Sequence, residues 1–140
     1  MSDGSRGNTF HLQILEADQP FYEGECESLV FPSFDGYEGI QANHCNMFCA
    51  VFTGELSFKD EKGEWLKAAV SDGMIKVEEN EVLILVDSAE WPEEIDISRA
   101  QMEMEAAQEA ILQKKSARDF QSAQARMARA MNRLKIKDVI

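Results

Sequence analysis

The two ends of the chain differ in how often Gly and Pro interrupt them. All eight glycines and all three prolines precede Asp96, and neither residue occurs from there to Ile140. Gly and Pro favour turns and are disfavoured inside helices. The sequence therefore predicts two parts, a turn-rich part over residues 1–89 and a helical part over residues 90–140.

The first part has the hydrophobic pattern of β-strands. Phe10, Leu12 and Ile14 alternate with their neighbours in the period of two that is typical of a half-buried strand. Residues 61–64 form a turn signal between two further strand-like runs, and such signals recur about every ten residues. Many short strands of this spacing favour an antiparallel β-sandwich.

The second part has the pattern of two short helices. It is rich in Ala, Met, Gln and Glu, which are good helix formers. We expect Asp96 or Ser98 to begin the first helix and Ser116 to cap the second. Two such helices form a close antiparallel hairpin, which makes the predicted fold class α+β. The apolar positions at helical spacing are Ala100, Met104, Ala107 and Ile111, then Phe120, Ala123, Met127, Ala130 or Met131, and Leu134.

The charge of the chain limits its partners. It carries 26 acidic and 14 basic residues, a net charge of −12. General nucleic-acid binding needs a basic face, so no nucleic-acid partner is expected. No apolar run approaches the roughly 18 residues that cross a bilayer, and residues 1–8 lack the pattern of a signal or transit peptide. We therefore expect no direct membrane insertion.

Three cysteines and one histidine are candidates for a metal or nucleophile site. Cys26, His44, Cys45 and Cys49 lack the paired spacings of structural zinc. Side chains adjacent on a strand point to opposite faces, so His44 and Cys45 are not placed to activate a nucleophile. We expect reduced cysteines as small core residues, His44 in a loop, no metal and no catalytic residue. A small thiol- or metal-dependent enzyme is the alternative.

Basic residues of the second predicted helix gather on one side. Arg126, Arg129, Arg133 and Lys137 fall within roughly an 80° sector of an ideal helix. Such a sector is either a solvated face or a site for a phosphate or carboxylate, whose geometry guanidinium groups match.

Short motifs along both parts together carry a resemblance. They are Asn43 with His44, and residues 23–29, 36–40, 53–56, 70–77, 82–89, 95–100 and 129–134. Over nearly its whole length the chain resembles the epsilon subunit family of the bacterial F-type ATP synthase. The resemblance implies a ten-stranded β-sandwich followed by a helical hairpin, in agreement with the pattern above.

The resemblance also implies a function without catalysis. Epsilon subunits bind the gamma subunit and the membrane rotor ring and turn with them. Their hairpin can extend to the alpha/beta catalytic head and inhibit ATP hydrolysis. The implied location is peripheral, on the cytoplasmic side of the cell membrane, with no required cofactor and ATP as a regulatory ligand. The alternative belongs to a different functional class, a free-standing binding module that senses ATP.

Site residues follow from the family's motifs. The I/L-D-x-x-R-A motif of ATP-binding members matches Ile95, Asp96, Arg99 and Ala100. Their acidic position and arginine pair match the residues Glu90, Arg129 and Arg133. Ala106 replaces an arginine of a tight-binding relative, so we expect weak binding, on the order of micromolar to millimolar.

Two contact surfaces follow from the same resemblance. Arg126, Arg129 and Arg133 would contact the catalytic head in the extended form. Tyr37, Glu38 and His44 would contact the rotor ring, and we expect them in one exposed turn over residues 33–46.

Overall fold

A computed structural model describes residues 8–113 and 117–137. The chain divides into two compact units, Met1–Ala89 and Glu90–Ile140. The first unit is built of strands and the second of helices, so the predicted fold class, a β-sandwich followed by a helical hairpin, is confirmed.

Nine strands occur among the described residues, one fewer than the ten that the resemblance implies. In the first unit their order in the sheet is β4-β7-β8-β1-β2-β5-β6, and β3 pairs with β2 outside this path. The strands are β1 Phe10–Glu16, β2 Gln19–Ser33, β3 Gly36–Gln41, β4 Met47–Val51, β5 Gly54–Asp60, β6 Trp65–Val70, β7 Gly73–Glu78, β8 Glu81–Val86 and β9 Ala89–Glu90.

The long strand β2 connects the two halves of the sandwich. Its first half pairs with β1 and its second half with β3 and β5. The predicted alternation on β1 is confirmed, because Phe10, Leu12 and Ile14 are all buried. Other strands supply the rest of this core, including Leu29, Phe31, Leu56, Phe58, Ile75 and Ile84.

One strand pair departs from the antiparallel pattern. β1 runs parallel to β8, with Leu12 opposite Val82 and Ile14 opposite Ile84. Parallel strands require a long crossover connection, which the six intervening strands provide. Local turn signals do not reveal such a pair, because its partners lie far apart in the sequence.

The second unit contains a short 3-10 helix, Pro92–Glu94, and two α-helices, α1 Ile97–Gln113 and α2 Ala117–Ile136. Asp96 caps α1, since its Oδ1 accepts a hydrogen bond from the Arg99 backbone N–H at 3.1 Å. Ser98 lies inside the helix, so the alternative start there was wrong. The predicted cap Ser116 lies outside the described residues.

Small side chains form the contact between the two helices. Ala100 and Ala107 of α1 and Ala123, Ala130 and Leu134 of α2 are fully buried. The seam uses Ala130, whereas Met131 is 41% exposed. Alanines allow the helices to approach closely but bury little apolar area, and each Å² of buried apolar area contributes only about 25 cal/mol. The two helices are therefore held together by little apolar contact.

A histidine on β1 lies between two carboxylates of β2. His11 Nε2 is 2.8 Å from Glu23 Oε2, and His11 Nδ1 is 3.1 Å from Glu25 Oε2. The hydrogen bond to Glu23 is the largest cause that raises the pKa of His11 above its usual 6.5; partial burial opposes it and Glu25 adds to it. A neutral ring cannot donate to both carboxylates, so protonation strengthens this link between the strands.

This link predicts a pH-dependent stability. Because the pKa of His11 is higher in the folded chain, its contribution is fully present below about pH 6.5 and is lost as pH rises through the folded pKa. We expect His11→Gln to flatten that part of the stability curve. Urea unfolding of both proteins between pH 5.5 and about 8.5 measures the difference. Parallel curves for the two proteins would contradict this assignment.

Candidate functional site

An arginine of α2 is held between two carboxylates of the second unit. Arg133 donates from Nε to Glu90 Oε1 at 2.5 Å and from Nη1 to Glu103 Oε2 at 2.9 Å. The Arg133 side chain is 23% exposed and those of Glu90 and Glu103 are 30% and 38% exposed. Partly buried, charge-assisted hydrogen bonds of this kind are stronger than exposed ion pairs.

The second oxygen of Glu103 binds a different arginine. Glu103 Oε1 accepts from Arg99 Nε at 3.1 Å, one helical turn back on α1. Arg99 is 79% exposed, so its guanidinium group remains largely in water. One carboxylate is thus shared by guanidinium groups from both helices.

These groups surround a small polar cavity. Its volume is about 120 Å³, and its lining includes four carboxylates and two guanidinium groups. The two arginines could bind a phosphate or carboxylate, whereas the four carboxylates give the lining a formal charge of −2. The lining residues are Glu90, Glu94, Asp96, Arg99, Ala100, Glu103 and Arg133.

Most residues of the predicted ATP site lie together here. Glu90, Asp96, Arg99, Ala100 and Arg133 line the cavity. Ile95 is buried and precedes the helix, and its side chain is not part of the lining. Arg129 is half-buried one turn before Arg133 and does not line the cavity either.

The sequence prediction missed two acidic residues of this cavity. Glu94 accepts a hydrogen bond from the Trp91 backbone N–H at 2.9 Å, which holds the entry to the short 3-10 helix. Glu103 follows Arg99 by four residues, a spacing that indicates an ion pair on a helix. That signal was in the sequence, whereas the contact of Glu103 with Arg133 depends on how the hairpin folds.

The predicted head-contact arginines differ in their surroundings. Arg126 is exposed on α2, and Arg133 is engaged by Glu90 and Glu103. Within residues 8–113 and 117–137, neither Arg126 nor Arg129 forms an ion pair. Two of the three arginines are therefore free of carboxylates in this part of the chain.

The predicted rotor-ring residues do not share one turn. Residues 36–41 form β3, which pairs with β2, so the prediction of a single exposed turn over residues 33–46 was wrong. Pairing satisfies backbone groups that a loop would leave to water. Tyr37 and Glu38 are exposed on β3, and His44 is half-buried in the next loop. Phe34 and Asp35 form the tip.

The cysteines occupy three different environments. Cys26 is buried as predicted, Cys49 is half-buried, and Cys45 is exposed in a loop, so the core prediction was wrong for Cys45. Cys45 and His44 lie in the loop before β4 and not on a strand, and Cys45 Sγ is 3.8 Å from His44 Nδ1, so the expectation that the two side chains point to opposite faces was wrong. Burial raises the pKa of the Cys26 thiol to about 11 and that of Tyr22 to about 12. Burial also raises the pKa of Cys49. A protonated thiol is a poor nucleophile.

Metal ligation and membrane crossing are two further properties that the described residues address. No group of three or more His, Cys, Asp or Glu side chains within them is arranged to hold a metal ion. Among the same residues, neither helix combines the length and the apolar character needed to cross a membrane.

Comparison with known proteins identifies relatives for both units. Residues 9–92 match the family described as ATP synthase, Delta/Epsilon chain, beta-sandwich domain. Residues 93–138 match the ATP synthase, Delta/Epsilon chain, long alpha-helix domain. The chain is 40% identical to the ATP synthase epsilon chain of Ruminiclostridium cellulolyticum, over 90% of this chain and 93% of that one. It is 41% identical to that of Caldanaerobacter subterraneus, over 91% and 93%.

Solved structures show the same fold at lower identity. A chain of the Euglena gracilis mitochondrial ATP synthase aligns with a TM-score of 0.79 and 18% identity, covering 89% of this chain and 79% of that one. A chain of the Tetrahymena thermophila central stalk and ring structure aligns with a TM-score of 0.65 and 13% identity, covering 91% and 95%.

Proposed function

Because the chain belongs to the ATP synthase delta/epsilon chain family, we propose that it is a non-catalytic rotor subunit in the central stalk of an F-type ATP synthase. Its epsilon-chain relatives, similar over about nine-tenths of the sequence, carry this proposal. The proposed partners are the gamma subunit, the membrane rotor ring and the alpha/beta catalytic head. The proposed location is peripheral, on the cytoplasmic side of the cell membrane.

The hairpin supplies the regulatory part of the proposal. Its seam is mostly alanine, so the closed form is held by little apolar area. Because the two helices share little apolar contact, they can separate and pack against a partner instead. In that extended form Arg126, Arg129 and Arg133 would meet acidic groups of the catalytic head and inhibit ATP hydrolysis.

ATP is the proposed ligand of the closed hairpin. Arg99 and Arg133 face the cavity, where they could bind phosphate oxygens. Arg129 lies one helical turn before Arg133, on the same side of α2, and could join them. A ligand shifts such an equilibrium by its differential affinity for the two forms, so ATP would favour the closed, non-inhibitory one.

We expect ATP to bind the intact subunit weakly and to shift NMR signals of residues around the cavity. Arg99→Gln should weaken binding by about tenfold or more, because one charge-assisted phosphate contact contributes about 1.5–3 kcal/mol. Arg99 is largely exposed, so this change should leave the hairpin folded. The measurement is an ATP titration followed by NMR.

Arg126→Gln is the matched control, since it removes the same charge from an exposed arginine outside the cavity. It should bind ATP as the wild type does. Equal weakening by both variants would indicate general charge attraction. An absence of shifts at several millimolar ATP would refute ATP as the ligand.

The tip between β2 and β3 is the proposed contact with the rotor ring. Phe34 is 84% exposed and Tyr37 is 59% exposed. The ring of Phe34 meets that of Phe52 edge-on, with centroids 6.1 Å apart. Exposed aromatic side chains are enriched at protein interfaces. Glu38 beside them and His44 in the following loop would complete the contact.

A cysteine placed at Tyr37 or Glu38 should therefore crosslink to the ring in the assembled complex, but not to the catalytic head. The background requires Cys45→Ser, because Cys45 is itself exposed. Lys62→Cys is the control, since it lies in the exposed turn of another hairpin, between β5 and β6. Crosslinks of Tyr37→Cys to the head alone would exclude the proposed contact.

A further inference from the structure

Glu103 holds a position that an external anion could occupy. Its two oxygens accept hydrogen bonds from different helices, Oε1 from Arg99 of α1 at 3.1 Å and Oε2 from Arg133 of α2 at 2.9 Å. A phosphate group offers oxygens with similar spacing and charge to the same guanidinium groups. The chain thus carries its own carboxylate between its two candidate phosphate ligands.

We propose that Glu103 is an internal competitor, whose carboxylate must leave Arg99 and Arg133 before a phosphate group binds them. This inference rests on the proposed ATP site and identifies the residue that sets its affinity. The ligand chemistry is a phosphate chain, either of a nucleotide or of a free polyphosphate.

The size of the cavity supports displacement. Its volume of about 120 Å³ is well below the roughly 300–1,000 Å³ of typical small-molecule pockets. The cavity therefore cannot enclose a whole nucleotide with its side chains in their present positions. Glu103 is 38% exposed and its partner Arg99 is 79% exposed, so the Glu103 carboxylate can turn into water. Arg133 would still keep its hydrogen bond to Glu90.

The charges favour the same conclusion. The lining holds four carboxylates and only two guanidinium groups, so a triphosphate would enter a site of net negative charge. Like charges brought together at a binding site oppose binding. Removing the charge of Glu103 would relieve repulsion and free two guanidinium groups at once.

The test compares Glu103→Gln with Glu105→Gln in the intact chain. Glu105 lies on the same helix, is exposed and is not part of the lining. Both variants lose one carboxylate, so they have the same net charge. Each protein is titrated with ATP and separately with inorganic tripolyphosphate at constant ionic strength, followed by NMR. Glu103→Gln should bind both ligands about tenfold more tightly than the wild type, and Glu105→Gln within about twofold of it.

Loss of structure cannot mimic this result, because damage to the site would weaken binding. If Glu103→Gln does not fold, Glu103→Ala should show the same gain. Wild-type ATP binding without a gain in the Glu103 variants over Glu105→Gln would overturn the competitor role and leave the proposed function standing. A gain for tripolyphosphate without any ATP binding would support the competitor role and refute the ATP site. No gain with either ligand would overturn the inference.

Discussion

The second unit is organised around one partly buried charge arrangement, the guanidinium group of Arg133 between Glu90 and Glu103. The three members of this arrangement come from different segments: Glu90 from the start of the second unit, Glu103 from α1 and Arg133 from α2. Alanine packing alone gives this helix pair little apolar contact, so the polar link matters more than it would in a leucine-rich hairpin. Removal of Arg133 would leave two neighbouring carboxylates without their common partner, which is costly at partly buried sites.

The same arrangement explains how a small hairpin could respond to a ligand. Arg99 and Arg133 already bind an anion, and that anion belongs to the chain itself. A phosphate chain would exchange with it instead of filling an empty site, so the net effect of binding is a small difference between two interactions. A small difference in interaction free energy gives a weak affinity. A weakly bound ligand shifts the hairpin at concentrations close to its dissociation constant.

Local features of the fold were readable from the sequence. The alternation of Phe10, Leu12 and Ile14, the cap at Asp96 and the two alanine-rich stripes all depend on neighbours within a few residues. The choice between Ala130 and Met131 was not readable, because both satisfy the helical spacing and only packing against α1 excludes the larger side chain from the seam.

Long-range features were not readable in the same way. The parallel pairing of β1 with β8 and the position of His11 between Glu23 and Glu25 depend on sheet register. Strand β3 was missed because its glycines at positions 36 and 39 resemble a turn, although the ladder with β2 runs through both. At the site, family motifs identified Glu90, Arg99 and Arg133, whereas Glu103 required the folded hairpin to connect it with α2.

The most direct measurement is ATP hydrolysis by an F-type complex assembled with gamma and the catalytic subunits, containing either the intact subunit or one ending at residue 89. Circular dichroism first establishes that the shortened subunit keeps its β-structure and that it co-purifies with gamma. The account predicts slower hydrolysis with the intact subunit at low ATP, no such inhibition with the shortened one, and a difference that shrinks as ATP rises. Equal rates for the two complexes at all ATP concentrations would contradict a regulatory hairpin.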